Sequence, residues 1–198
     1  MILEWPKIIA VEGIDGSGKT TFIYSLCEYL NKKGYVVKVN TLKKHNSVLV
    51  KYYNERNQCC ENQYMKLSAY MLDLLAYNME IEGSCFWDFL IFDRYIDTLE
   101  AYFGSLNVHI PWVTEMKKYV YEPYLAILLD LPVEVALKRI GKRKGARKVL
   151  ENYEYLSNVR DKYLQIANNK PYLIVDARLD GDTLCSLVME KLQIEVSN

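Results

Sequence analysis

The eight residues Gly13-Ile14-Asp15-Gly16-Ser17-Gly18-Lys19-Thr20 constrain this chain more than any other stretch. They fit the spacing G-x-x-x-x-G-K-[ST], follow the short apolar run Lys7–Val11, and precede a helical pattern carrying Phe22, Ile23, Leu26 and Leu30. A loop of this kind between a strand and a helix is a phosphate cradle. Its glycines let backbone N–H groups converge on phosphate oxygens, and the helix N-terminus adds a partial positive charge. There Lys19 reaches the β- and γ-phosphates and the Thr20 hydroxyl ligates Mg²⁺. Gly13, Asp15, Gly16, Ser17, Gly18 and Thr21 complete the expected nucleoside-triphosphate site.

The rest of the chain repeats the strand–helix alternation. Further strands are expected at Tyr35–Val39, Phe89–Phe92, Leu125–Leu129 and Tyr172–Val175. Helical periods cover Thr20–Lys33, Asn62–Glu82, Ile96–Phe103, Val133–Ile140, Tyr153–Ala167 and Thr183–Leu192. Continuously apolar strands separated by helices predict a parallel sheet covered on both faces, a three-layer α/β sandwich of the P-loop NTPase type with five strands. Such sheets bind ligands at the carboxyl ends of their strands, where the polar motifs of this chain fall. No repeat, low-complexity tract or linker divides residues 1–198, so one domain is expected. Met65, Ala69, Leu72, Ala76 and Met79 share one face of the 62–82 helix. Burial within one copy and contact between two copies both explain that stripe.

Composition narrows the function. With 51% apolar and 25% charged residues in 198, the chain can bury a full core. Lys+Arg and Asp+Glu both total 25, and a zero balance argues against a general nucleic-acid binder. No apolar run approaches the roughly 20 residues that cross a bilayer, and the N-terminus, with Glu4, lacks a basic leader region. The five cysteines are odd in number and show no C-x-x-C spacing, which speaks against a disulfide framework or a zinc site. Adjacent Cys59 and Cys60 are either a redox pair or two ordinary thiols. The expectation is a cytoplasmic protein.

The charge is not evenly spread. Lys138–Lys148 holds seven cations and no acid, leaving 18 basic against 25 acidic residues elsewhere. One short basic segment on an acidic body suits a small polyphosphate; the competing readings are a solvated charge run and a nucleic-acid patch. With Gly141 and Gly145 as hinges, it reads as a lid over about residues 141–149. Arg143, or else Arg147, would close over a transferring phosphoryl group.

Asp93-Arg94-Tyr95 ends the third strand and should face the same cleft as the phosphate loop. Arginine offers a bidentate fork to phosphate, and the acid can organise Mg²⁺ or water. A plain strand-end salt bridge is the alternative. No guanine-reading Asn-Lys-x-Asp is present, because Asn168-Asn169-Lys170-Pro171 lacks the aspartate. Asp93 is followed by Arg94 rather than by a second acid, so an ATPase-engine acidic pair is missing too.

With these motifs in place, the chain resembles the thymidylate kinase family. Val11-Glu12-Gly13 through Thr20-Thr21 resembles that family's opening, and Asp93-Arg94-Tyr95-Ile96-Asp97-Thr98 with Ala101-Tyr102 its second signature. Leu128-Leu129-Asp130-Leu131-Pro132 with Arg139-Ile140, and Val175-Asp176-Ala177, resemble its later segments. The resemblance implies ATP as donor, Mg²⁺ held at Thr20 and Asp93, and γ-phosphoryl transfer to a (deoxy)nucleoside monophosphate in nucleotide biosynthesis. It implies Asp15 near the acceptor sugar and phosphate, Arg94 on the acceptor phosphate, and Arg139 against the adenine. It further implies acceptor contacts from Tyr95, Thr98, Tyr102, Phe103 and Leu75, and a homodimer through the 62–82 helix.

Three departures stand out. Where the family has Arg-Glu-Pro after the second strand, this chain has Thr41-Leu42-Lys43-Lys44-His45-Asn46. Leu75 stands where a base-reading arginine is usual, and Phe103 where glutamine is usual. Tyr70, Tyr77 and Phe103 remain available to stack a base. The altered acceptor side keeps two other readings open: a nucleoside or other small-molecule kinase, and an ATP-binding regulatory module without turnover.

Overall fold

The computed structural model describes residues 5–42, 62–83, 86–106, 111–142 and 152–193. The strands are β1 (Lys7–Glu12), β2 (Val37–Thr41), β3 (Phe89–Asp93), β4 (Leu125–Asp130) and β5 (Tyr172–Asp176). All pair in parallel in the order β2-β3-β1-β4-β5, which puts the loop-bearing strand β1 at the centre. Val11 and Thr41 both lie in register with Asp93, so three strand ends meet at one edge of the sheet.

Helices cover both faces because the strands alternate between two buried clusters. Ile9, Val11, Phe89 and Ile91 pack with α1 (Lys19–Lys32), α6 (Tyr153–Asn168) and α7 (Gly181–Lys191). Ile8, Ala10, Leu90 and Phe92 pack with α2 (Gln63–Gly83), α3 (Ile96–Gly104) and α4 (Pro111–Met116). The α5 helix (Val133–Gly141) adds Val133, Ala136 and Ile140 to the first cluster. This is the expected P-loop NTPase-type sandwich.

Several boundaries shift. β2 begins at Val37 rather than Tyr35, because pairing with β3 starts at Val37↔Phe89. Tyr35 instead sets its ring edge against Phe89 at 5.3 Å, and the Val36 amide donates to the Asp88 carboxylate at 2.7 Å. The short α4 and a single 3-10 turn at Lys117–Tyr119 are too brief for periodicity to announce.

The structure decides which face of α2 is buried. Leu67, Met71, Leu74, Tyr77 and Ile81 form its buried ridge, whereas Met65, Leu72, Ala76 and Met79 face outward. Met79 is 77% exposed and Met65 61%, so the stripe does not line the monomer core; of its five members only Ala69 is buried. Cys185 is buried and Cys27 half-buried, both free, and burial pushes both thiols up in pKa. Cys59, Cys60 and Cys85 lie outside the described residues. Among the described residues no helix is long and apolar enough to cross a membrane.

Candidate active site

The phosphate loop runs from the buried end of β1 to the start of α1. Its path needs glycine at two packed positions. Gly13 has φ +145 and Gly16 φ +89, and a Cβ on either would come within 2.7 Å of a carbonyl, that of Leu129 or Ala136. The loop is thereby seated on β4 and α5. Lys19 is buried, and its ammonium donates to the Gly13 and Ile14 carbonyls at 2.9 Å and to Ser17 Oγ at 3.3 Å. The cation therefore lies inside the curl of the loop, where phosphate oxygens would offer it stronger, charged acceptors. Arg139 of α5 donates to the Ser17 carbonyl at 3.3 Å and the Ala177 carbonyl at 3.1 Å. It thus flanks the loop on the side of β5.

A cleft of about 160 Å³ opens beside the loop, lined by Asp15, Gly16, Gly18, Lys19, Thr20, Thr21, Thr41, Asp93 and Arg94. The Thr20 hydroxyl donates to Asp93 Oδ2 at 3.1 Å. That leaves the hydroxyl lone pairs and the second carboxylate oxygen for a hard cation such as Mg²⁺, which binds through few protein ligands plus phosphates. Among the described residues no cluster of three His, Cys, Asp or Glu side chains is placed to hold a metal. One hydroxyl and one carboxylate, Thr20 and Asp93, fit a cation that also takes ligands from a nucleotide.

Arg94 sits opposite Lys19. It is 2% exposed, with its backbone in the left-handed region at φ 72. The guanidinium donates to Asp15 at 2.7 Å, Tyr102 Oη at 2.9 Å, the Gly13 carbonyl at 3.3 Å and Tyr163 Oη at 3.4 Å. It also lies 4.6 Å from the centre of the Tyr102 ring. Burial works against this charge, but Tyr102, Asp15, Tyr163 and Glu12 outweigh it and hold the pKa well above the ordinary arginine value. Asp15 keeps one-fifth of its side chain exposed, so the pair meets the cleft there. The Gly13 carbonyl accepts from both Lys19 and Arg94, which ties the two cations to one atom.

Beneath Arg94 lies a closed polar network. Glu12, fully buried, accepts from the Tyr95 amide at 2.9 Å, the Thr98 amide at 3.3 Å, the Thr98 hydroxyl, and Tyr163 Oη at 2.9 Å. Loss of solvation dominates its titration and pushes its pKa up to about 7; Asp97 adds to the rise, and Thr98, Tyr95 and Arg94 oppose it. Burial also drives Tyr163 well above the usual tyrosine value, so it stays a donor. Nearby Asp97 is held by Lys117 at 2.9 Å, Lys170 at 2.8 Å and Tyr172 Oη at 2.8 Å. Burial favours its neutral form, but the two lysines prevail and lower its pKa.

Not every expected acceptor residue reaches the cleft. Tyr95 is core: its ring packs 4.6 Å from Phe92 and its hydroxyl donates to the Tyr121 carbonyl. Thr98 turns toward Glu12 and Tyr163, behind Arg94 rather than in front of it. Phe103 is 5% exposed and Tyr77 3%, both within the second cluster, with Tyr77 edge-on to Phe92. Tyr77 is therefore a packing residue rather than a base-stacking one. Leu75 and Tyr70 are half-buried against the same cluster. Arg143, Arg147, Lys43, Lys44 and His45 lie outside the described residues. Glu12, Tyr163 and Thr41 join the site in the fold without a local pattern that marks them as functional. The contact that gives each its role spans dozens of residues.

The family model for thymidylate kinase matches residues 11–186. The chain belongs to the thymidylate kinase family. It is 31% identical to the probable thymidylate kinase 1 of Saccharolobus solfataricus, over 94% of this chain and 97% of that one. It is 36% identical to the probable thymidylate kinase of Sulfolobus acidocaldarius, over 89% and 91%, and 32% identical to that of Archaeoglobus fulgidus, over 86% of each. Membership makes this chain an ATP-dependent phosphotransferase acting on nucleoside monophosphates, with ATP as donor and typically Mg²⁺. The thymidylate kinase family signature thus extends across both cluster-forming halves of the fold.

Proposed function

We propose that this chain phosphorylates thymidine monophosphate, the acceptor named for its relatives, by in-line transfer from Mg²⁺-ATP. The observation that carries the reading is the Arg94–Asp15 pair at 2.7 Å, facing the cleft that Lys19 and Thr20 also line. Lys19 would draw charge from the transferring group, Thr20 and Asp93 would hold Mg²⁺, and Arg94 would receive the acceptor phosphate. Such transfer is largely positioning plus charge neutralisation. Asp15 would bridge to the acceptor, and Arg139 would lie along the donor base. Arg143, with Arg147 in reserve, would act from the basic lid. We assign the chain to the cytoplasm, where both nucleotides are found, and treat residues 1–198 as one kinase domain.

A nucleoside kinase needs no acceptor-phosphate cation, so a buried arginine at the cleft disfavours it; a module without turnover leaves Arg94 equally unexplained. With Leu75 packed against the second cluster and Phe103 inside it, neither offers the acceptor base a polar partner, so base discrimination should be modest. Assaying product formation across a panel of nucleosides and monophosphates tests the reading. Thymidine monophosphate should be the best acceptor, and phosphorylation of nucleosides alone would refute it. The exposed Met65, Leu72 and Met79 support a homodimer through α2. Leu72→Lys should then yield monomers by sedimentation, while an unchanged sedimentation coefficient would count against that interface.

A further inference from the structure

Arg94 occupies a left-handed backbone conformation that an L-residue of this kind adopts only where the surroundings impose it. The surroundings are the end of β1. The Arg94 amide donates to the Val11 carbonyl at 3.1 Å, and the next amide, Tyr95, donates to Glu12 Oε1 at 2.9 Å. Both amides around the strained residue are thus tied to consecutive residues of the central strand.

The same carboxylate performs a second task. Tyr95 is the N-cap of α3, yet its side chain makes no capping hydrogen bond. Glu12 supplies the cap instead, accepting the Thr98 amide three residues on, as well as the amide of Tyr95 itself. A capping box divides those two bonds between local side chains; here one acid from another strand makes both. Its second oxygen takes the Thr98 and Tyr163 hydroxyls, which lie 2.6 Å from each other, and Tyr163 Oη in turn accepts from Arg94. Glu12 therefore reaches Arg94 by two routes, through its backbone and through Tyr163. A bulk-buried acid whose sole task was filling space would be replaced by an apolar residue at less desolvation cost.

We infer that Glu12 is a positioning residue: it caps α3 from β1 and, with Thr98 and Tyr163, fixes Arg94 where the acceptor phosphate binds. It touches neither substrate. The inference rests on the monophosphate kinase reading and adds to it the element that sets acceptor affinity separately from ATP affinity.

The test compares Glu12→Gln, Thr98→Val and Thr98→Ser with the wild type. KM and calorimetric affinity are measured for thymidine monophosphate, and Kd for ATP. Glu12→Gln disturbs the hydroxyl bonds at nearly constant shape, Thr98→Val deletes one hydroxyl, and Thr98→Ser retains it. The first two should weaken the acceptor about 10-fold and leave ATP within about twofold, as expected for losing a charge-assisted bond. Thr98→Ser should stay within about twofold for both ligands, by the same hydrogen-bond reasoning. Unchanged acceptor affinity in Glu12→Gln and Thr98→Val overturns the inference. So do equal losses for acceptor and ATP, which would mean that Glu12 only shapes the adjoining phosphate loop. If Glu12→Gln does not fold, the Thr98 pair decides alone. A wild type that binds thymidine monophosphate without turnover refutes the kinase reading only, since the binding comparison still reports on Glu12; one that binds no monophosphate overturns both.

Discussion

The donor and acceptor sides of the cleft are built by different means. The proposed donor side is a run of consecutive residues whose backbone would do the binding, with Gly13 and Gly16 shaped to fit against β4 and α5. The proposed acceptor side is assembled from side chains on four segments, Asp15, Arg94, Tyr102 and Tyr163, above a buried acid at the end of β1. A backbone cradle depends on local conformation, so sequence spacing reveals it. A side-chain clamp depends on tertiary contacts, and its selectivity can drift while the cradle stays fixed. The three departures from the family pattern, at Leu75, at Phe103 and in the stretch that begins at Thr41, all lie outside the phosphate loop.

That contrast can be broken by substitution, beginning with its strongest expected effect. Lys19→Ala should remove turnover with every acceptor, a loss of at least ~10³ in kcat in a phosphate-loop enzyme; near-wild-type rates in a coupled assay would undo the donor assignment. Arg143→Ala should lower kcat by roughly 10³, toward the low end for an arginine acting on the transferring group, with little change in ATP affinity. If that rate stays within a few-fold of wild type while Arg147→Ala loses it, the role belongs to Arg147.

Arg94→Ala should weaken thymidine monophosphate by about 10² and ATP far less, matching the loss of a charged bidentate partner. Equal losses in both affinities would erase the distinction between the two sides. The smallest effect concerns pH. Glu12 has its pKa raised in the folded state from the usual 4.5 to about 7, so the folded chain binds the extra proton between those values. Stability from this group is full below about pH 4.5 and is lost as pH rises through about 7. Melting temperatures across that window should fall with pH in the wild type and flatten in Glu12→Gln. A Glu12→Gln slope matching the wild type would place the titration elsewhere.

Much of the molecule is legible in the sequence alone. The phosphate loop, the five strands and most helices follow from glycine spacing and apolar periodicity, because both are local and repeat over short windows. Asp93 and Arg94 were legible as cleft residues because a parallel sheet exposes its carboxyl ends on one side. Thr98 and Tyr95 misled for an instructive reason. Their place beside Arg94 in the chain says nothing of which way each side chain turns, and α3 sends one to Glu12 and the other into the core.

What the sequence by itself determined is therefore the fold class, the nucleotide-triphosphate cradle and the family, each encoded within short runs. The tertiary structure alone decided the outward face of α2 and the trans cap of α3. Met65, Leu72 and Met79 are as apolar as the Leu67, Met71 and Leu74 that α2 buries, so only the docked sheet selects the inner face. Glu12 lies 86 residues from Thr98 and 151 from Tyr163. No local pattern joins them, and the parallel alignment of β1 with β3 brings them into one buried hydrogen-bond network.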